Sequence, residues 1–372
     1  PEGQVQDGED HRFLVCGSAC FMGRNPQDRH MRFLILHVIF LLLLSAGDVF
    51  ASGRPPAPQF TPGPDNGQPV LSVRNFARHY GFDRIDRQED RVVLKGEVHE
   101  LVLFQGSRRA LLNGTLVWLN EPVVAHRKTW VLTERDVRFT LAPVLRPFTV
   151  LHDQGFQVVV LDPGHGGEDP GALSPSGLQE KEVVLDVARR VRALLLRQGV
   201  RVYLTRHDDR FLELDERPRR AGRWQVDAFV SLHVNSGAAT ALGAETFVLS
   251  LPGSLSTNQN PASPAPTNSY PGNTLNGPNM ALAYSLHHAL RSVPGVVDRG
   301  VKRARFSVLR QSPAPAALVE MGFLSHPEEG KKFQDSAYRD EMARSIARGI
   351  DNYLRAVKKA RMASEAQQQE KN

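Results

Sequence analysis

The sequence predicts an α/β protein with a mostly parallel central sheet flanked by helices, preceded by a small α+β domain. Two observations lead to this prediction. From residue 156 onward, apolar segments of strand length alternate with segments of helical periodicity, as is typical of α/β folds. Between residues 70 and 146, one short helical segment is followed by several short apolar segments that are separated by turn residues.

Residues 31–51 have the pattern of a secretory signal peptide. Arg32 precedes an apolar run over residues 33–44, and small residues then lead to Ala51. The run is shorter than the ~20 residues that a membrane-spanning helix needs, and an uncleaved anchor is the alternative. We therefore predict that residues 1–30 are an unstructured upstream extension and that the protein is exported, to the periplasm or the cell wall. No stable membrane span is expected after cleavage.

Charge and cysteine content limit the classes of function. Cys16 and Cys20 both precede the expected cleavage site, so the exported protein must fold without disulfides. The full chain carries 46 Lys and Arg residues against 40 Asp and Glu residues, and a basic surface suits an anionic polymer. The sequence contains neither a zinc finger nor an aromatic–glycine RNA-binding signature, so we expect no nucleic-acid partner.

The small domain is predicted over residues 70–146, after a Pro/Gly-rich linker at 52–69. Apolar residues at helical spacing run from Val73 to Tyr80, and Gly81 is a stop signal. Asn113-Gly114 is a strong hairpin signal between two apolar segments. The predicted strands contain the segments Val92–Leu94, Val98–Phe104, Ala110–Leu112, Leu116–Leu119 and Trp130–Leu132.

The small domain resembles the copper amine oxidase N-terminal-like, or stalk, domain of exported wall enzymes. The resemblance is carried by the early helix, by Gly106-Ser107 leading into Asn113-Gly114, and by Trp130-Val131-Leu132. It implies an adaptor or wall-binding module without chemistry of its own. Copper is not expected, because the three histidines of this domain lack ligand spacing; they are His79, His99 and His126.

The α/β domain is predicted over residues 155–357. Its first helix shows an apolar face from Val183 to Leu195 and ends at Gly199. Residues 251–278 are rich in Pro, Ser and Asn and are predicted to form an inserted loop, and the polar tail 358–372 is predicted to be frayed or disordered. The remaining predicted elements are strands at Gln157–Leu161, Val200–Leu204, Ala228–Leu232, Glu245–Leu249 and Ala316–Glu320, and helices at Met280–Val293 and Tyr338–Leu354.

Three polar residues follow apolar strands of this domain. His165 comes in a Gly-rich turn after the first strand, His233 ends another strand, and Glu320 ends a third. Ligand sites of open α/β sheets lie at the carboxyl ends of the strands. The turn does not fit a dinucleotide-binding loop, because Asp169 stands where the third glycine should be, and no Gly-Lys-Ser/Thr follows for a P-loop.

A fourth candidate lies in the first turn of the first helix. Both Glu180 and Glu182 fall there, and an acidic residue in a first turn also has the ordinary role of stabilising the helix dipole. Spacing alone does not choose between the two glutamates.

Four segments resemble the signature blocks of the zinc-dependent N-acetylmuramoyl-L-alanine amidase family of the amidase-3 type. They are, in order, Asp162–Ala172, Gly177–Glu182, Ser231–Asn235 and Val319–Phe323. Leu204–Arg206 and Arg299–Lys302 also match family segments, and the likeness covers residues 156–356.

The resemblance implies that His165, Glu180 and His233 bind zinc and that Glu320 is the catalytic carboxylate. Lys181, which follows the ligand in the family pattern, selects Glu180 over Glu182. The implied reaction is hydrolysis of the amide bond between N-acetylmuramic acid and L-alanine in peptidoglycan. The alternatives are another zinc peptidase or carboxypeptidase of the wall and a catalytically silent wall-binding protein. The sequence leaves open whether an activator protein is required, and residues 251–278 do not resemble the site-blocking helix of some wall amidases.

Overall fold

The computed structural model of the protein describes residues 57–369, except 65–66, 127–128, 152–154 and 156. The expected signal peptide, the upstream extension and both cysteines lie outside the described residues. From Pro58 onward the described chain forms one compact unit. None of the helices among these residues is long and apolar enough to cross a bilayer.

The small domain contains the predicted helix and more strands than were predicted. The side chain of Ser72 accepts a hydrogen bond from the Asn75 amide at the start of helix α1, and Gly81 ends the helix with φ of 77°. The elements are β1 (Thr61–Pro62), β2 (Pro69–Ser72), α1 (Val73–Tyr80), β3 (Phe82–Arg87), β4 (Arg91–Gly96), β5 (Glu100–Phe104), β6 (Arg109–Leu112), β7 (Thr115–Trp118), β8 (Val124–His126), β9 (Thr129–Thr133), α2 (Glu134–Asp136), a π-helical turn (Val137–Leu141) and α3 (Ala142–Leu145).

Two features of the small domain differ from the sequence prediction. Part of the predicted linker is ordered, because Thr61 pairs with Val70 in an antiparallel ladder. Strand β3 was missed because most of its side chains are exposed and polar, so it lacks an apolar pattern. The hairpin prediction is confirmed: Asn113 and Gly114 adopt φ of 49° and 74°, the left-handed values that a two-residue hairpin turn requires.

The α/β domain follows the predicted alternation of strands and helices. Residues Pro271–Leu275 form a 3-10 helix and α6 begins at Asn276, so the last eight residues of the predicted inserted loop are helical. The predicted disordered tail is largely helical, since α9 continues to Gln369. The elements are β10 (Val158–Pro163), α4 (Glu180–Arg197), β11 (Arg201–Leu204), α5 (Glu216–Ala221), β12 (Ala228–Asn235), β13 (Ala244–Leu249), α6 (Asn276–Leu290), β14 (Asp298–Ala304), α7 (Ser307–Arg310), β15 (Ala316–Phe323), α8 (Pro327–Gln334) and α9 (Ser336–Gln369).

Strands of both domains join in one eleven-stranded sheet, ordered β11-β10-β12-β15-β13-β14-β7-β6-β5-β4-β3. The other four strands of the small domain form a separate sheet, ordered β1-β2-β9-β8. The first four strands of the eleven-stranded sheet are parallel. Strand β13 is antiparallel to β15 but parallel to β14, so the α/β domain has a mixed sheet. This reversal brings the amino end of β13 to the edge where β12 and β15 end.

The small domain contacts the α/β domain through β7 and β14. Val117 pairs with Val301, the Leu116 amide donates to Asp298 Oδ2 at 3.0 Å, and Trp118 Nε1 donates to the Arg299 carbonyl at 3.0 Å. Backbone pairing and side-chain hydrogen bonds therefore both bridge the two domains.

The inserted loop is held against the fold by two arginines. Arg305 donates to the carbonyls of Leu251 and Pro266 at 3.2 and 3.3 Å. Arg135 of the small domain donates to the Pro252 carbonyl at 3.0 Å. Backbone carbonyls that a Pro-rich segment leaves without ladder partners are thus satisfied by side chains.

Candidate active site

The turn after β10 places His165 at the carboxyl end of the sheet. His165 has φ of 58°, a left-handed value that is uncommon for a residue with a side chain. The glycines on either side make the turn possible, since an added Cβ on Gly164 or Gly166 would come within 2.2 Å of neighbouring atoms. The turn thus aims the imidazole at the end of the neighbouring strand β12.

Two buried arginines stabilise this turn by hydrogen bonds to its backbone carbonyls. Arg206 donates to the carbonyls of Pro163 and Gly164 at 3.0 and 2.7 Å. Arg217 donates to the His165 carbonyl at 2.8 Å and pairs with Asp162 at 3.1 Å. Both are almost fully buried, so their hydrogen bonds hold the backbone of the turn in a fixed position.

The structure brings His165, Glu180 and His233 together. One ligand atom from each lies within 4.8 Å of the others. Glu180 Oε1 is 3.1 Å from His165 Nε2 and 2.9 Å from His233 Nδ1. On the far side of the His165 ring, Nδ1 is 2.7 Å from Asp169 Oδ2. A carboxylate behind a ligating histidine is the usual arrangement for fixing its tautomer and orientation.

Of Glu180 and Glu182, Glu180 is the better placed to bind a metal ion. Glu180 is buried, whereas Glu182 is exposed. The amides of Val234 and Ala172 donate to its two carboxylate oxygens at 3.0 and 2.8 Å. Burial opposes ionisation of this carboxyl, but hydrogen bonds with His165 and His233 outweigh burial and lower its pKa. The site therefore holds an ionised carboxylate between two imidazoles.

The pKa of His165 is raised. Burial of the ring opposes its protonation, but the hydrogen bonds with Glu180 and Asp169 outweigh the burial. Two imidazoles and one carboxylate with converging donor atoms are the ligand types that a catalytic zinc site uses, with a further position left for water. The residues present thus fit a zinc ion.

Glu320 lies beside these three residues without taking part in their hydrogen bonds. It is directly opposite His233 in the parallel pair β12–β15, so the two side chains project from the same face of the sheet. Glu320 is buried, and its Oε2 has no hydrogen-bond partner among the described residues. Burial raises the pKa of Glu320 well above its usual value, and the carboxylates of Glu180 and Glu245 raise it further.

Sequence reasoning missed a second set of charged residues at this edge. Glu245 is directly opposite Glu320 in the antiparallel pair β13–β15. Glu245 in turn pairs with Arg299, and with Lys302 at 2.7 Å. The segment Arg299–Lys302 was noted as a family match, but sequence spacing gives no sign that it pairs with a strand about fifty residues earlier.

The close approach of Gly164 to His233 leads to a first prediction. A Cβ on Gly164 would lie 2.2 Å from His233 Cε1, so Gly164→Ala must displace the imidazole. We expect metal affinity and activity to fall by about tenfold or more, because substitutions that disturb the orientation of a metal ligand typically have effects of this size. Metal content after dialysis and turnover would be measured together. Gly222→Ala is the matched control, because its Cβ would meet ordinary contacts of 3.4 Å or more; equal behaviour of the two variants would contradict the prediction.

The α/β domain is similar in sequence to known proteins. The model of the amidase-3 family, described as N-acetylmuramoyl-L-alanine amidase, matches residues 159–352. The chain is 35% identical over 214 residues to the YqiI protein of Bacillus subtilis, covering 58% of this chain and 91% of that protein. It is 34% identical to the sporulation-specific N-acetylmuramoyl-L-alanine amidase of the same organism, covering 52% of this chain and 66% of that protein.

One similar protein has a solved structure. The N-acetylmuramoyl-L-alanine amidase AmiC2 of Nostoc punctiforme is 34% identical and aligns with a TM-score of 0.46, covering 55% of this chain and 99% of that one. The family match alone spans more than half of the present chain. The protein is therefore a member of the N-acetylmuramoyl-L-alanine amidase family of enzymes.

Proposed function

We propose that the protein is a zinc-dependent hydrolase that cleaves the amide bond between N-acetylmuramic acid and L-alanine in peptidoglycan. The observation that carries the proposal is the convergence of His165, Glu180 and His233 within 4.8 Å, with the buried carboxyl of Glu320 directly opposite His233. The family match supports a peptidoglycan amidase. The metal and the roles of individual residues are the proposed part.

His165, Glu180 and His233 would hold the zinc ion through Nε2, a carboxylate oxygen and Nδ1, the atoms that converge in the site. When bound, zinc would lower the pKa of water towards neutrality and polarise the scissile carbonyl. Asp169 would keep a proton on Nδ1 of His165, so that Nε2 keeps its lone pair for the metal. Arg206 and Arg217 would hold the turn that carries His165.

Glu320 would act as general base and then as general acid. Its Oε2, which has no hydrogen-bond partner among the described residues, would accept a proton from the attacking water. The same oxygen would then deliver the proton to the nitrogen of the departing L-alanine, because an amine leaves only when protonated. A carboxyl whose pKa is raised by burial is a stronger base than an exposed one, which suits this role.

Two other functions use the same residues or the same fold. A zinc peptidase or carboxypeptidase of the wall would share the metal ligands but would cut within the peptide. A silent wall-binding protein would need none of the four residues, so the convergence of His165, Glu180 and His233, with Glu320 opposite His233, speaks against it. The family match favours the amidase over both.

Export and wall attachment complete the proposal. The signal-peptide pattern of residues 31–51 supports export to the periplasm or the cell wall. The small domain would serve as an adaptor, and its resemblance to stalk domains of exported enzymes supports this role. Peptidoglycan would be the partner, whereas nucleic acid would not.

Digestion of purified peptidoglycan by the zinc-loaded protein is the decisive experiment. We expect new free amino groups on L-alanine together with intact muramic acid, identified by mass spectrometry. A chelator should abolish the products and added zinc should restore them. New amino groups on other residues would show a peptidase, and an absence of products at full zinc loading would favour the silent binding protein.

A further inference from the structure

We propose that Arg299 binds a carboxylate in the peptide portion of the substrate and makes the enzyme prefer acidic stem peptides over their amidated forms. The inference rests on the proposed function and adds a specificity residue to the same site. A carboxylate must come from the peptide, because the acid group of N-acetylmuramic acid is itself consumed in the scissile amide and the rest of the glycan carries hydroxyl and acetamido groups.

The topology places Arg299 at the edge of the sheet that holds the site. Strand β13 is antiparallel to β15, so its first residues lie where β15 ends. Strand β14 is parallel to β13, so Arg299, near the start of β14, reaches the same edge. Glu245, the partner of Arg299, is directly opposite Glu320, a relation that puts the two Cβ atoms about 5 Å apart.

Three contacts fix the guanidinium of Arg299 at this edge. Nε donates to Glu245 Oε1, and Nη1 donates to the Leu242 carbonyl at 3.4 Å. The guanidinium carbon lies 5.0 Å from the centre of the Phe323 ring. Among the described residues Nη2 has no hydrogen-bond partner, so this part of the guanidinium is available to a ligand.

Counted over Glu245 and the two cations that bind it, there is one positive charge in excess. The Glu245 carboxylate is 2% exposed and is bound by two cations, Arg299 and Lys302. The side chain of Lys302 is 4% exposed whereas that of Arg299 is 35% exposed. The surplus charge therefore reaches solvent through Arg299, where an anion would balance it.

The planar guanidinium suits a carboxylate better than an ammonium group would. It offers N–H donors in a fixed plane that matches the two oxygens of a carboxylate. Pairing with Glu245 and stacking on Phe323 hold this plane in place before a ligand arrives, which lowers the entropic cost of binding. The rival role for Arg299 is structural, as a tie between β13 and β14 that makes no contact with substrate.

A matched pair of substrates separates the two roles. Two synthetic muropeptides would be identical except that one carries a free carboxylate in the peptide and the other carries the carboxamide at that position. KM and kcat would be measured for the zinc-loaded full chain and for Arg299→Gln. We expect wild type to favour the carboxylate, and Arg299→Gln to raise KM for it about tenfold, the usual loss for a hydrogen bond to a charged group.

For the carboxamide we expect Arg299→Gln to leave KM within about twofold, and kcat to change little on either substrate. Arg299→Lys keeps the charge and should recover part of the preference. Arg197→Gln is the control, because it removes one exposed positive charge at the end of α4, away from β14. Unfolding midpoints would show whether each variant is folded.

A loss of activity by the same factor on both substrates would show that Arg299 has only the structural role and would overturn the inference. Equal KM values of wild type for the two muropeptides would overturn it as well. Failure of wild type to cleave either muropeptide would instead overturn the proposed function, on which the inference depends. The failures are therefore distinguishable.

Discussion

Glu320→Gln should abolish almost all turnover while leaving the metal content unchanged. The substitution keeps the size of the side chain but removes its ability to accept and return a proton, an ability that typically contributes 10²–10⁴-fold to a rate. Because Glu320 takes no part in the hydrogen bonds between His165, Glu180 and His233, zinc binding should not depend on it. Turnover and zinc content would be measured on the same preparation.

Glu168→Gln is the matched control for this variant. Glu168 lies in the same turn of the chain as His165, and its side chain is exposed, so its loss should change turnover by less than about twofold. A fully active Glu320→Gln enzyme would remove Glu320 from the mechanism. A variant that lost zinc together with activity would show that the carboxylate helps to hold the metal.

His165→Ala should lose both zinc and activity. The substitution removes one of three converging ligand atoms and leaves Glu180 and His233 to hold the ion alone. Substitution of a residue that only hydrogen-bonds to a metal ligand typically lowers metal affinity about 10–100-fold. Loss of a ligand itself should lower the affinity further. Zinc retained after dialysis, measured by elemental analysis, is the primary readout, with turnover as the second.

His207→Ala provides the control. The side chain of His207 is 74% exposed, and it lies outside the cluster of His165, Glu180 and His233. We expect wild-type zinc content and turnover for this variant. Retention of stoichiometric zinc by His165→Ala would show that the ion is bound elsewhere, and the proposed site would be wrong.

Much of the α/β domain was predictable because its strands and helices carry unmistakable apolar patterns. The strand that precedes His165 and the strands that contain His233 and Glu320 all lie where they were predicted, although the last two continue past these residues to Asn235 and Phe323. A polar residue among the last few residues of a buried parallel strand, or directly after it, lies at the carboxyl edge of the sheet. Sequence reasoning could therefore predict that these three residues are neighbours. Their convergence with Glu180 is a result of the three-dimensional structure.

The choice between Glu180 and Glu182 shows the limit of that reasoning. Both occupy the first turn of α4, and helical spacing treats them alike. In the structure, the orientation of α4 buries Glu180 between the two histidines and exposes Glu182. From the sequence, only the resemblance to the family pattern selects Glu180 over Glu182, because helical periodicity does not distinguish them.

The residues around Glu320 were not predictable, because the direction of strand β13 could not be predicted. Nothing in the apolar pattern of β13 indicates that it runs antiparallel to β15. That reversal puts Glu245 opposite Glu320, and an irregularity in the β13–β14 register between Ala244 and Thr246 accompanies the contact with Arg299. The roles of Arg206 and Arg217 were not predictable either, since they bind mainly backbone carbonyls, which carry no sequence signal.

The pairing of β7 with β14 has a consequence for truncated forms of the protein. A version that began at Gln157 would lack the strand that covers β14 and would leave its outer backbone groups open to pair with another molecule, a known route to aggregation. Asp298 would lose its amide donor from Leu116, and the indole of Trp118 would no longer shield Lys302, whose Nζ lies 5.8 Å from that ring. The small domain thus covers this edge of β14, and a truncated protein would need a substitute, such as a charged residue on the exposed edge of β14.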